Sequence, residues 1–153
     1  MRIGVVPIGP GTEAIARHAS GPDGSGGRFH VSFVDKHPVE HATLDVNDTT
    51  FDGPETVTVK ISQSEGDFVA GDYHVWVHNA PSGTDVADFV AAGPVVMFTD
   101  RVAQAGQWSA VDASGTSTER IWRVFDFTID DTGTVTTKNV IQTFVPGAFS
   151  TVF

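Results

Sequence analysis

The chain has 153 residues and a formal net charge of −10, enough for one domain that removes about 70% of its unfolded surface from water. Its 22 Val, 17 Thr and 7 Ile stand against a single Leu, with 11 Phe, a composition suited to a pleated, half-buried surface and not to helices. The charge comes from 14 Asp and 5 Glu with only 3 Lys, and there is no cysteine; this argues against nucleic-acid binding through phosphates and removes disulfides, thiolate metal sites and cysteine nucleophiles.

Taken in chain order, residues 1–20 open with an apolar run (Ile3, Val5, Val6, Ile8), a Gly-Pro-Gly turn and an Ala-rich stretch of helical character. The Gly-rich run from Ser20 to Gly27 sets this segment apart, so residues 1–27 read as an N-terminal arm and linker. Strand periodicity follows in RFHVSFVD (28–35), HATLDV (41–46), ETVTVKIS (55–62), DYHVWVHN (72–79), PVVMFTD (94–100), RIWRVFDFTID (120–130) and GTVTTKNVIQTFV (133–145). Asp130, Asp131 and Gly133 predict a tight hairpin between the last two. Between Asn79 and Pro94 the pattern breaks, and Thr84 or Asp85 caps a predicted crossover helix of about 85–92 that Gly93 ends. The expectation is an all-β fold: an antiparallel sandwich of Ig-like or jelly-roll type, with about seven strands over residues 28–146. An apolar tail, 147–153, closes the chain with Phe149, Val152 and Phe153. Together with Ile3, Val5, Val6 and Ile8, these are the expected assembly contacts.

The run LDVNDTTFDGPETVTV (44–59), then GDYHVWVHNAPSG (71–83), then ERIWRVFDFTID (119–130) resembles a β-sandwich module of bacterial and archaeal cell-surface proteins. That module carries the pattern LDVDD, GPETITI, GTYxVxVHN, WxVFxI. The likeness spans about residues 41–141. Asp45, Asp48, Gly53, Pro54, Glu55, Gly71, Tyr73, Val77, His78, Asn79, Trp122, Val124 and Phe125 stand at matching places. Two departures are the RFHVSFVD first strand, where the module is acidic, and Asn47, where a second Asp is common. The resemblance implies the sandwich fold and a surface role, and it implies no catalytic residue.

Several motifs suggest chemistry, and each has a structural alternative. The opening GPGTEA echoes a dinucleotide fingerprint, but Pro10 lacks an amide donor, Glu13 puts a carboxylate where phosphate would sit, and no parallel crossover follows. HPVEH (37–41) spells an inverted zinc-peptidase motif. That chemistry needs a helix; on a strand, residues four apart lie about 13 Å apart and cannot share a metal. His74 and His78 fall under the same arithmetic and read as packed histidines near Trp76. The Asp-rich LDVNDTTFDGPE offers Asp45, Asn47, Asp48, Asp52 and Glu55 as oxygen donors for a calcium-like cation, although Thr50 stands where an EF-hand needs Gly. The competing reading is a turn whose side chains bond their own backbone. Asn47-Asp48-Thr49 is also a glycosylation sequon. No Ser-His-Asp trio stands out by spacing. Trp76 and Trp122 belong to apolar strand patterns, whereas Trp108 reads as exposed.

No stretch reaches the roughly 18 apolar residues of a membrane span, and the first residues lack the pattern of a secretory signal. The acidic, lysine-poor surface points to a high-salt cytoplasm. The leading expectation is a non-enzymatic structural protein without cofactors. It would be an oligomeric virion component of a tailed virus of a halophilic host (capsid decoration, turret, tail or baseplate), with itself and other virion proteins as partners. Host surface glycans are a further partner in that reading, and the first alternative is an exported cell-surface module that binds glycans or cations. The second is a hydrolase with an unrecognised site.

Overall fold

A computed structural model describes residues 2–6, 15–32, 35–46, 55–60, 68–79, 88–100 and 103–146. Among them ten strands form two antiparallel sheets. The first sheet contains β1 (Arg2–Val6), β4 (Ala42–Val46), β5 (Glu55–Val59), β7 (Val95–Asp100) and β8 (Ala103–Ser109), in the order β4-β5-β1-β7-β8. The second contains β2 (Ile15–Pro22), β3 (Arg28–Val31), β6 (Gly71–Asn79), β9 (Ile121–Ile129) and β10 (Val135–Val145), in the order β10-β9-β6-β2-β3. All seven strands expected from periodicity are present, and β1, β2 and β8 are additional.

The two sheets meet through aromatic side chains. Phe125 and Phe127, alternate residues of β9, lie 5.1 and 5.4 Å from Phe98 of the opposite sheet. Phe127 stacks on Tyr73 at 4.9 Å, and Trp108 stacks on Phe125 at 4.2 Å. Leu44, Val57, Val59 and Val96 complete the core from the first sheet, and Phe29, Val31, Val75, Val77 and Trp122 from the second. Strand alternation is what aims these residues inward; across β9 a bulge at Val124, skipped in the pairing with β6, resets the register before Trp122.

The largest correction concerns residues 1–27, which do not form an appended arm. Strand β1 lies in the middle of its own sheet, with Ile3 paired to Val57 on one side and Phe98 on the other. Both backbone edges of β1 are therefore taken up by strands of its own chain. Residues 15–22 are likewise a strand and not a helix, with Ala19 opposite Val75 and Val31. Only Asp23–Gly27 makes the turn: the Asp23 carboxylate accepts the N–H groups of Ser25 and Gly27.

The crossover helix is a single turn, α1 (Phe89–Ala92). Asp88 caps it, its carboxylate accepting from the N–H groups of Val90 (2.8 Å) and Ala91 (3.2 Å). Gly93 leaves it at a φ of 59°. Thr84 and Asp85, the expected caps, lie outside the described residues. The hairpin between β9 and β10 forms as expected: Asp130 accepts from the backbone N–H groups of Thr132 and Thr134 and from the Thr132 hydroxyl, and Gly133 takes φ 79°.

Each longer edge strand is irregular. The pairing skips Asp45 on β4, Ala105 on β8 and Lys138 on β10, so each strand carries an extra residue there. Strand β3, the fourth edge, has four residues. Bulged or short edges resist pairing with other chains. Ser114 further covers β10, donating its N–H to the Gln142 carbonyl and accepting from the Phe144 N–H.

Candidate functional site

The concentration of chemistry-bearing side chains lies on the face of the second sheet turned away from the core. Alternation along β6 puts Tyr73, Val75 and Val77 inside and leaves His74, Trp76 and His78 on the other face. On β9 the same rule directs Asp126 away from its neighbours Phe125 and Phe127. Antiparallel register then sets Ser20, His74 and Asp126 side by side on β2, β6 and β9. The His74 Nδ1 and Asp126 Oδ1 are 2.7 Å apart. The Ser20 hydroxyl is buried and accepts a hydrogen bond from the Arg28 guanidinium at 3.2 Å. This row contains the residue types of a nucleophilic trio in spatial order. Arg28, which also donates to the Asp72 carbonyl, holds Ser20 as part of a cross-strand clamp.

A second cluster lies one row along. Asp72 accepts from the Lys138 ammonium at 3.1 Å and from the Thr128 hydroxyl at 2.9 Å. The Lys138 bond first, then that from Thr128, holds its carboxyl below the usual range. Lys138 is the bulged residue of β10, and the ion pair ties that edge across β9 to β6.

Beyond this row, His30 of β3 stacks on Trp76, ring centroids 5.6 Å apart and planes 18° from parallel. Between the two strands runs β2, with small Ser20 opposite His30. Burial pushes the His30 imidazole down to about 4; Asp35 opposes this and His78 adds to it. His78 is also lowered, by burial and then by Arg120. Tyr73, on the core side, donates its hydroxyl to the Val69 carbonyl at 2.6 Å, and burial raises its pKa.

The sequence-predicted sites separate. In HPVEH, His37 is within 2.6 Å of the Thr43 hydroxyl, whereas His41 is buried against Phe29 with its Nε2 3.1 Å from the Pro22 carbonyl. The two rings face different partners, as a non-helical segment requires. Burial lowers His41, against the Pro22 bond and Asp23. Of the calcium-like set, Asp45 is the bulged residue of β4 and Glu55 begins β5; Asn47, Asp48 and Asp52 lie outside the described residues. Among the described residues no group of three or more His, Asp or Glu is arranged to hold a metal ion. Ile3, Val5 and Val6 belong to β1, while Ile8, Phe149, Val152 and Phe153 lie outside the described residues. Trp108 is not simply exposed: it is half-buried on Phe125, and its ring covers Gly106. Trp122 is buried and donates its indole N–H to Gln142 at 3.1 Å.

The Ser20, His74 and Asp126 row was missed because its members are far apart along the chain. A signal for part of it existed: HVWVH and FDF each place polar residues between apolar ones, which puts His74 and Asp126 on non-core faces once β6 and β9 pair.

No family model and no curated protein matches the chain. A crystal structure described as that of the unknown function protein SAV2460 is similar to it, with a TM-score of 0.66 and 18% sequence identity, over 98% of this chain and 92% of that one. At this identity the likeness shows the sandwich fold. No helix among the described residues is long and apolar enough to cross a membrane.

Proposed function

We propose that this chain is a non-enzymatic structural β-sandwich, an oligomeric component of the outside or tail of a virus particle whose host lives in high salt. The observation that carries the reading is how its polar side chains are used. Asp23, Asp88 and Asp130 close turns or cap the helix, His74 with Asp126 ties neighbouring strands, Asp72 with Lys138 reaches across β9, and Arg28 ties β3 to β2 and β6. Side chains committed to cross-links and turns make a stiff building block. The surface-module resemblance and the net charge of −10 support the setting.

With β1 inside its own sheet and the edges irregular, self-association in this reading uses the corner where α1 packs beside the 3-10 turn Ala110–Asp112. Val90 and Val111, 42% and 55% exposed, lie there. Sedimentation at molar salt is expected to give a defined oligomer, which Val90→Asp with Val111→Asp dissociates. A monomer at high protein concentration, with or without these changes, refutes the assembly role. Calorimetry with calcium and a glycan screen separate it from a binding module, which alone would give saturable heat.

A further inference from the structure

We propose that protonation of His30 loosens the edge strand β3, so that mild acid opens this side of the second sheet. The inference is independent of the assembly role above.

Strand β3 is four residues long and, among the described strands, pairs with β2 alone. Phe29 and Val31 anchor it in the core, while His30 points the other way and leans over Ser20 to lie flat on Trp76. A neutral ring suits that position, stacked on a buried indole. A protonated one brings a charge into partial burial, and cation–π attraction to Trp76 offsets only part of that cost.

The charges around it settle the balance. Arg28 stands two residues back on the same face of β3, and its guanidinium is already held by Ser20 and Asp72. From β6, His78 opposes protonation, and His74 is engaged with Asp126 of β9. Arg120 adds positive charge beside His78, Arg123 of β9 pairs in register with Trp76, and His18 of β2 is Trp76's other neighbour in register. Asp35, whose backbone N–H donates to the Ser32 hydroxyl, favours the charged ring. Among the described residues towards β4, Lys36, His37, His41 and Lys60 are not acids, and Glu40 is exposed.

The sign follows from linkage. A base whose pKa is lowered by folding takes up its proton more readily in the open form, so the closed form is favoured above about pH 6.5 and loses ground as pH falls towards about 4. One such proton makes opening more frequent by about tenfold per pH unit across that window. The opened form would leave the free edge of β2 available for strand pairing.

The test is native-state hydrogen exchange between pH 7 and 4.5, corrected for the intrinsic pH dependence, with the amides of β3 compared with those of β9 in the wild-type chain. Protection of Phe29 and Val31 should fall by about tenfold per pH unit below 6.5, while β9 stays nearly level. Equal loss in both strands, or none in β3, overturns the proposal without any variant. In His30→Phe, which keeps a ring on Trp76 but cannot titrate, the β3 profile should be flat. A slope as steep as that of wild type in this variant also overturns it.

Discussion

Replacing Phe127 with alanine tests whether the aromatic contacts between the sheets hold the molecule together. Phe127 is fully buried, stacked on Tyr73 at 4.9 Å, with Phe98 at 5.4 Å and Phe125 at 5.9 Å. Removing a core phenylalanine costs about 3–5 kcal/mol in lost transfer energy and cavity. Three ring neighbours, each worth about 0.5–1.5 kcal/mol beyond burial in favourable geometry, place this site at the upper end of that range. Because whole domains are stable by about 5–15 kcal/mol, the variant should remain folded at 25 °C but with little reserve. At about 2–4 °C per kcal/mol for a chain of this size, its Tm should fall by about 10–20 °C. The assay is equilibrium unfolding followed by tryptophan emission, with Val140→Ala as the control. Val140 is 56% exposed, and its truncation should change stability by less than about 0.5 kcal/mol. A loss below about 2 kcal/mol for Phe127→Ala, or one matching the control, refutes the assignment of this residue to the centre of the core.

Gly106→Ala adds a methyl where the Trp108 ring lies; the ring must move off Phe125, at a cost of about 1–3 kcal/mol, seen as altered near-UV circular dichroism together with a lower unfolding midpoint. Hydrogen bonds hold the carboxyls of Asp72, Asp88 and Asp130 below their ordinary value of 3.8. Their stabilisation is therefore complete above that value and is lost as pH falls through the lowered ones; urea midpoints from pH 5 to 2 should decline less steeply in Asp130→Asn than in wild type. Deleting Lys138 removes the bulge and the Asp72 ion pair together, so β10 becomes a straighter edge and light scattering should rise with concentration, whereas an unchanged signal argues against the bulge as a guard.

The strands most legible in sequence are those with large side chains on the core face: β9 with Phe125 and Phe127, β6 with Tyr73, Val75 and Val77. The strands that were not legible share a physical cause. In β2 the residue under the Tyr73 ring is Gly21, and in β8 the residue under Trp108 is Gly106. In both, a small residue makes room for an aromatic ring, which empties the periodic signal while serving the packing. In β8 the ring sits two positions along the same strand, on the same face, so a glycine followed by Trp at that spacing is a usable clue. For β2 the ring comes from β6, and nothing local announces it. Apolar alternation in β1 was readable, but its partners, β5 and β7, are chosen by tertiary register. The row of Ser20, His74 and Asp126 has the same origin: strand order brings together residues whose separation in sequence carries no pattern.

The central place of β1 has a consequence for how the molecule is made. Synthesis delivers Arg2–Val6 well before its second neighbour, which begins at Val95, roughly ninety residues later, an interval of about 5–20 s at ordinary ribosome speeds. Until then one side of an apolar strand has no mate, and the closing contact is among the most distant in the chain, the kind that slows folding. The sheet's middle strand thus waits for its completion, and variants that weaken β7 should show their effect in the yield of newly made protein before they show it in the finished fold.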